Sequence, residues 1–209
     1  MGRSEVEGTN SVPTGVHIRD ARQQLFDAAE RILLRDGAGA LTSRAVTAEA
    51  GVAKGVLHRY FADFDAFLAE LVGDRLARLA DQAVTLRGSA GTGTVTGNLT
   101  EALAELFDPV AVAIVALVVA RDELRTRLRR DRPTPGLPVL TEAGTMIAVY
   151  LADECSLGRI AVDADTDSLA LSLIGAGHLL FAGAPVRPDT AAVARVVETI
   201  TADVVRRLL

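Results

Sequence analysis

The sequence predicts an all-α protein of about nine helices, in which an N-terminal three-helix unit is followed by a larger C-terminal helical bundle. Apolar residues recur at three- and four-residue spacing along most of the 209 residues. No stretch has the strict alternation of apolar and polar residues that is typical of a strand. Gly, Pro and Asp recur at helix-length intervals, where they favour helix ends. With 49% hydrophobic residues, the chain can bury a substantial core.

The N-terminal unit begins after residues 1–15, which mix Gly, Ser, Thr, Pro and charge without periodicity and predict a loose tail. The spacing of apolar residues predicts a first helix from about His17 to Asp36. Thr42 is placed to cap a second short helix with its hydroxyl oxygen. Gly51 is expected to supply the turn that follows, and a third helix is expected from Lys54 to about Phe61.

Six further helices are expected after this unit. Asp63 can cap a long fourth helix to about Leu86, and the segment Gly88–Thr94 that follows is the most linker-like in the chain. The remaining five are predicted at about Gly97–Phe107, Asp108–Arg130, Leu140–Gly158, Asp167–Phe181 and Val193–Leu208, with prolines in the loop Arg132–Pro138.

Composition narrows the class of protein. The longest apolar run, Val110–Ala120, has eleven residues, whereas a helix that crosses a bilayer needs about 20, so we expect a buried core helix and no membrane partner. The single cysteine, Cys155, and the lack of a signal-like N-terminus favour a cytoplasmic location. The net charge of −5 means that any contact with nucleic acid must be local.

Two short helices around a glycine turn are typical of a helix-turn-helix, whose second helix enters the major groove of DNA. Taken alone, this spacing also fits an ordinary α-hairpin. A longer pattern adds to it: Asp36-Gly37, Leu41-Thr42, Val46, Ala50-Gly51-Val52, Lys54-Gly55-Val56-Leu57 and Tyr60-Phe61. In order and spacing this pattern, over about residues 17–68, closely resembles the TetR family of bacterial transcriptional regulators.

The resemblance implies a tail at 1–15, a DNA-binding helix-turn-helix domain at 16–64, and a ligand-binding and dimerisation domain at 65–209. It implies a dimeric repressor that binds double-stranded DNA. Side chains in this pattern suit contact with phosphates and base edges, since cations and a helix N-terminus attract phosphate and small residues allow close approach. The candidate DNA-binding residues are Thr42, Arg44, Lys54, Gly55, Val56, His58, Arg59 and Tyr60.

Three positions depart from the family pattern. His58 stands where a tyrosine is most common, and Ala53 replaces the usual hydroxyl cap of the recognition helix. Phe64 stands where a lysine usually opens the fourth helix and contacts a phosphate. We therefore expect fewer phosphate contacts than is usual for the family.

The C-terminal bundle is expected to pair two copies and to hold a small, largely apolar ligand that shifts the separation of the two DNA-binding units. The candidate pairing residues are Leu173, Gly177, Leu180, Val193, Val197, Ile200 and Val204. The candidate pocket residues combine apolar surface with a few polar groups. They are Leu103, Phe107, Ile114, Leu117, Val118, Met146, Tyr150 and His178.

Catalysis finds no support in the sequence. The three histidines match no metal spacing, and the glycine-rich segment lacks the lysine of a phosphate-binding loop, so we expect no enzyme activity, cofactor or metal site. The alternative hypothesis is an all-α binding protein for apolar small molecules with weak or lost DNA binding, which Phe64 and the acidic balance favour.

Overall fold

The computed structural model describes residues 15–131, 136–183 and 186–205, with side chains from residue 21 onward. Ten α-helices and a short 3-10 turn at Ala38–Ala40 form this part of the chain, which confirms the all-α prediction. The helices are α1 (Gly15–Asp36), α2 (Ser43–Glu49), α3 (Gly55–Tyr60), α4 (Phe64–Gly88), α5 (Val95–Leu106), α6 (Pro109–Ala120), α7 (Asp122–Asp131), α8 (Pro138–Ser156), α9 (Thr166–Ala182) and α10 (Thr190–Thr201). The tail predicted at 1–15 falls almost wholly outside the described residues, as do most of the proline loop and Leu208.

Short polar side chains begin six of these helices by accepting a hydrogen bond from a backbone N–H in the first turn, which satisfies a group that the helix leaves unpaired. The capping residues are Thr42, Asp63, Thr94, Asp108, Asp165 and Asp189, before α2, α4, α5, α6, α9 and α10 respectively. The Thr94 cap was not predicted. It starts α5 at Val95 rather than at Gly97.

The prediction of one sixth helix from Asp108 to Arg130 was wrong. Arg121 adopts an extended conformation (φ −124°, ψ 103°) and ends α6 at Ala120. A second helix, α7, then begins with the acidic pair Asp122 and Glu123, which favours a helix N-terminus. This break accounts for ten helices among the described residues rather than about nine.

The last helix is also shorter than predicted, since α10 ends at Thr201. The chain then turns, and Val205 forms an isolated antiparallel bridge with Ile160. The N–H of Ala161 donates to the carbonyl of Val204 at 2.9 Å in the same contact. The residues after Thr201 therefore close against the loop between α8 and α9.

A cluster of phenylalanines joins the N-terminal unit to the rest of the chain. The ring of Phe67 in α4 lies 5.6 Å from that of Phe26 in α1 and 5.1 Å, edge to face, from that of Phe61 after α3. Aromatic pairs at this separation add to the apolar area that they bury. Helix α4 is thus shared by the two parts of the fold.

Helix α4 also meets the buried start of α6. Arg75 is only 4% exposed, and its Nη1 lies 2.5 Å from the carboxylate of Asp108, which itself caps α6. The same guanidinium donates to the carbonyl of Leu106 at 3.0 Å. Because each ionised group has a partner, this interior contact fixes α4 against the α5–α6 corner.

The apolar run Val110–Ala120 lies in α6, where five side chains are buried in the core, as predicted. Among the described residues, no single helix is long and apolar enough to cross a membrane. Helices α5 and α6 would satisfy that test together by length and composition, but they meet at a 61° bend.

Candidate nucleic-acid interface

The scaffold of the candidate interface is the pair α2 and α3. The Thr42 hydroxyl accepts the N–H of Ala45 at 3.1 Å and starts α2. Gly51 has a φ of 67°, a left-handed conformation that glycine adopts without strain, so the chain turns there. Val46 and Leu57 are fully buried and pack the two short helices against the core.

The eight residues predicted to contact DNA lie on the accessible side of this scaffold. Six are exposed: Thr42, Arg44, Lys54, Gly55, His58 and Arg59. Val56 and Tyr60 are partly buried. The fold therefore leaves all eight on the surface, although their contact with DNA stays a prediction.

The acidic residue beside this surface, Glu49, is bound by two arginines of α1. The carboxylate of Glu49 accepts from Nε of Arg31 at 2.8 Å and from Nη1 of Arg35 at 3.0 Å, so it faces α1. These hydrogen bonds, with that from Arg31 first, lower the pKa of Glu49. Within the described part of the chain, Arg44 and Arg59 enter no ion pair, so their charges are available to a partner.

The recognition helix α3 lacks a side-chain cap. Lys54 occupies the cap position, and a lysine side chain carries no acceptor for the free N–H groups of the first turn. Sequence reasoning had placed the missing cap at Ala53. The position shifts by one residue, but the physical consequence, an uncapped α3, is the same.

Phe64, the first residue of α4, packs against its own helix. Its ring stacks on that of Phe67 at 5.6 Å, and the guanidinium carbon of Arg121 lies 5.6 Å from its centre. A cation over an aromatic face is attracted by the ring quadrupole. An arginine from the C-terminal bundle therefore adjoins the position where the family usually has a lysine.

Two arginines of the bundle contact the N-terminal unit, and sequence reasoning missed both. Nη2 of Arg121 donates to the carbonyl of Leu41 at 2.6 Å, directly before the cap of α2. Nη1 of Arg127 lies 3.1 Å from each carboxylate oxygen of Asp63, the cap of α4. Arg121 at the α6–α7 break and Arg127 within α7 thus contact the residues that directly precede α2 and α4.

The predicted ligand-pocket residues are mainly packed core. Seven of the eight are buried, namely Leu103, Phe107, Ile114, Leu117, Val118, Met146 and Tyr150. The hydroxyl of Tyr150 is committed within the protein, since it donates to Glu154 at 2.7 Å and accepts from Asn98 at 3.0 Å. His178 is partly buried, with its ring 6.1 Å from that of Phe107. Of the eight, Met146 lines two described cavities.

Three cavities border α8, and two of them also border α4. A groove of about 400 Å³ between α4 and α8 is lined by Leu76, Leu79, Ala80, Ala83, Val84, Arg87, Glu142, Thr145, Met146 and Val149. We call it the α4–α8 groove. A niche of about 100 Å³, the α4–α5 niche, is lined by Gln82, Thr85, Leu86, Ser89, Asn98, Glu101, Ala102, Glu105 and Met146. A groove of about 360 Å³ lies between α8 and α9 and is lined by Leu140, Thr141, Gly144, Thr145, Ala148, Asp167, Ala170, Leu171, Ile174 and Gly175.

The residues predicted to pair two copies differ in their burial within the single chain. Leu173, Gly177, Val193 and Val197 are buried, whereas Leu180, Ile200 and Val204 are partly buried, so pairing through these residues stays a prediction. A Cβ at Gly177 would lie 2.6 Å from the ring of Phe107. Its missing side chain therefore makes room for a core phenylalanine rather than for a partner.

The short helices, the glycine turn and the exposed basic face define a helix-turn-helix protein. A family model described as "Bacterial regulatory proteins, tetR family" matches residues 25–71. This match falls within the stretch whose sequence pattern resembles the TetR family. A search of curated proteins finds no match to the chain.

The whole chain has the fold of TetR-family regulators. A TetR-family transcriptional regulator from Agrobacterium tumefaciens superposes with a TM-score of 0.69 at 11% identity, covering 90% of this chain and 99% of that one. The regulator FadR from Bacillus subtilis in complex with stearoyl-CoA gives 0.65 at 17% identity, covering 86% and 97%. An ArpA-like γ-butyrolactone receptor gives 0.58 at 20% identity, covering 88% and 98%.

Proposed function

We propose that the protein is a cytoplasmic transcriptional repressor that binds a palindromic operator in double-stranded DNA as a homodimer and is released by a small, largely apolar ligand. Residues 16–64 would form the DNA-binding domain, and residues 65–209 would bind the ligand and the second copy. Regulation of transcription needs no catalytic step, so no enzyme activity is proposed.

The observation that carries this proposal is the separation of charge on the helix-turn-helix. The one acidic residue of α2, Glu49, is held against α1 by Arg31 and Arg35. Arg44 and Arg59 remain exposed and form no ion pair with another described residue. Although the chain carries a net charge of −5, its recognition surface therefore presents positive charge to a polyanion.

The roles of the interface residues follow from their chemistry. Thr42 and Arg44, at the start of α2, suit a phosphate, since helix N-termini and cations attract anions. Lys54 would donate to a guanine edge and Val56 would contact a thymine methyl in the major groove. These residues would position the domain and supply sequence preference, with His58, Arg59 and Tyr60 donating to further phosphates.

Pairing is proposed through the outer, exposed side of α9 rather than through the residues of α9 and α10 that the sequence predicts. Leu171 and Leu179 are 74% and 76% exposed, and Gly175 lies exposed between them, on one face of the helix. The exposed leucines form a ridge, and the groove between α8 and α9 beside them forms a complementary depression. Two copies related by a twofold axis can pack such a surface against itself.

The ligand is proposed to bind beside α4, and two features support this site. The α4–α8 groove, at about 400 Å³ with mostly apolar lining, has the size and character of small-molecule sites. Two similar folds are described with stearoyl-CoA and as a γ-butyrolactone receptor. A change in α4 would reach the DNA-binding unit directly, since Phe67 of this helix packs against Phe26 and Phe61.

The salt dependence of DNA binding tests the proposal. The full-length protein is titrated with DNA from its own genomic neighbourhood at several salt concentrations. The logarithm of the affinity should fall linearly with the logarithm of salt concentration, and Arg44→Gln or Arg59→Gln should each reduce the slope by about one. Arg195→Gln, an exposed arginine of α10, serves as the control and should leave the slope unchanged.

Failure of the unmodified protein to retain any of this DNA at low salt would refute the repressor proposal. That result would favour the alternative function, a binding protein for small molecules. Binding with a slope that neither arginine changes would instead refute the assignment of the DNA-contacting surface.

A further inference from the structure

Helix α7 and the residue before it carry a local excess of positive charge. The ten residues 121–130 include five arginines and two acidic residues, a net charge of +3 in a chain whose net charge is −5. The acidic pair, Asp122 and Glu123, lies in the first turn of α7, where the positive end of the helix dipole offsets it. Arg129 and Arg130 lie in the last turn. The positive charge therefore increases toward the C-terminal end of α7.

Two arginines six residues apart hold α7 across the start of α4. Nη1 of Arg127 lies 3.1 Å from each carboxylate oxygen of Asp63. The guanidinium carbon of Arg121 lies 5.6 Å from the ring centre of Phe64. Because these two partners are consecutive residues, α7 crosses α4 at its first turn instead of running along it. The buried leucines of α7 anchor the helix in this position.

This position places α7 beside the proposed DNA-binding surface. Asp63 lies three residues after Tyr60, the last residue of α3, and the Leu41 carbonyl that accepts from Arg121 precedes the cap of α2. The ion pair with Arg127 also neutralises the carboxylate of Asp63, an acidic group close to the end of α3. The surface formed by α2 and α3 therefore continues onto α7 with its acidic neighbour already paired.

Arg130 is the exposed arginine of α7 on the side that meets Asp63. It lies three residues after Arg127, about 4.5 Å further along the helix, so the two side chains project from the same side. Arg130 forms no hydrogen bond or ion pair with any residue that the structure describes, and it is exposed. Arg129 is also exposed, but two residues are about 200° apart around a helix, so it lies on the opposite side from Arg127.

We propose that this side of α7 is a second DNA-contacting surface, on which the Arg130 guanidinium donates to a phosphate of the duplex that α3 binds. The planar guanidinium donates two parallel N–H bonds to phosphate oxygens and keeps its charge at all physiological pH values. A phosphate carries no sequence information, so the contact would add affinity without adding preference for a base. The inference rests on the proposed function, because it needs DNA bound at α2 and α3.

Salt titrations of the full-length protein test this contact. Two duplexes are compared, one from the genomic neighbourhood of the gene and one unrelated duplex of equal length. Arg130→Gln should reduce the slope of log affinity against log salt by about one on both duplexes and leave the ratio of the two affinities unchanged. Arg130→Lys keeps the charge and should keep the slope of the unmodified protein. Arg129→Gln is the matched control and should also keep it.

An unchanged slope in Arg130→Gln would overturn the inference. An equal loss in Arg129→Gln would overturn it too, because net charge rather than position would then explain the effect. A changed ratio of the two affinities would overturn the assignment to a phosphate. Failure of the unmodified protein to retain either duplex at low salt would refute the proposed function itself, whereas intact binding with an unchanged Arg130→Gln slope refutes the α7 contact alone.

Discussion

Nη2 of Arg121 donates a 2.6 Å hydrogen bond to the backbone carbonyl of Leu41, across 80 residues of sequence. Leu41 precedes the cap of α2, and Arg121 is the single extended residue between α6 and α7. The break in the bundle therefore holds the start of the helix-turn-helix. Such a contact fixes the orientation of the DNA-binding unit relative to the body that carries it.

Replacement of Arg121 by alanine should loosen this attachment. Loss of one charge-assisted hydrogen bond at a partly buried site costs about 1 kcal/mol, which corresponds to a fall in Tm of about 2–4 °C for a chain of this size. The affinity for operator DNA should fall too, because two loosely held DNA-binding units match their half-sites less often. Differential scanning calorimetry and a DNA titration measure the two effects.

Arg129→Ala, on the exposed side of α7, is the matched control for Arg121→Ala and should change neither quantity by much. An Arg121→Ala protein with the Tm and operator affinity of the unmodified protein would show that Arg121 is not needed to fix the DNA-binding unit.

Local sequence patterns predicted the scaffold because helix caps and apolar spacing act within one or two turns. The Thr42 and Asp63 caps were predicted from three-residue neighbourhoods, and the structure contains both. The roles of Arg121 and Arg127 were not predicted, since their partners lie 80 and 64 residues away. A run of arginines after an apolar helix carries no information about which carbonyl or carboxylate it will meet.

Apolar spacing likewise shows that a residue faces something apolar, but not whether that surface belongs to its own chain. On α9, Leu171 is exposed and Leu173 is buried, although both belong to the same apolar helix. The predicted pairing surface therefore included core positions. Among the predicted pocket residues, Ile114 and Leu117 likewise lie in the interior and line none of the described cavities, so their contact with a ligand stays a prediction.

The Asp63–Arg127 pair predicts a dependence of stability on acid. The N–H of Ala66, first, and the guanidinium of Arg127 lower the pKa of Asp63 in the folded protein. The unfolded chain therefore takes up the proton more readily, with a pKa of about 3.9. This contribution to stability is present above that value and is lost as pH falls through the lower folded pKa.

Asp63→Asn tests this contribution, because asparagine caps a helix about as well as aspartate but carries no charge. Thermal unfolding between pH 7 and pH 3 should show a smaller acid-induced fall in Tm for Asp63→Asn than for the unmodified protein. Asp203→Asn, an exposed position near the C-terminus, is the control. Parallel curves for all three proteins would contradict the prediction.

The Tyr150 hydroxyl predicts a structural rather than a ligand-binding role for this residue. It donates to the fully buried carboxylate of Glu154 and accepts from Asn98, so Tyr150→Phe removes one hydrogen bond from each of these groups. Such a loss costs about 1–3 kcal/mol, measured as the free energy of unfolding in urea. Tyr60→Phe, at a partly buried position on α3, is the control and should have little effect.

The contribution of the Tyr150 hydroxyl to stability should depend on pH in the alkaline range. Burial, first, and the hydrogen bond to Glu154 raise the pKa of Tyr150 above its ordinary value. The stability that depends on the neutral hydroxyl is complete below the unfolded pKa of about 10 and declines as pH rises above it. Tyr150→Phe should lack this part of the alkaline decline, and an unchanged decline would place its cause elsewhere.

Two substitutions on α9 separate a pairing surface from the core of the chain. Leu179 is 76% exposed, so Leu179→Glu should leave the fold intact while it places a charge in the proposed dimer contact. Light scattering is then expected to give the mass of a monomer, with a circular dichroism spectrum like that of the unmodified protein. Leu157→Glu, an exposed leucine at the end of α8, should leave the mass unchanged.

Gly177→Leu should have the opposite effect, because a side chain there meets the ring of Phe107, which stacks on Phe181 at 5.6 Å. Such overpacking of a core typically costs about 1–3 kcal/mol, so the Tm should fall before the mass changes. A dimeric Leu179→Glu protein would remove the exposed side of α9 from the pairing surface. A stable, monomeric Gly177→Leu protein would restore the surface that the sequence first indicated.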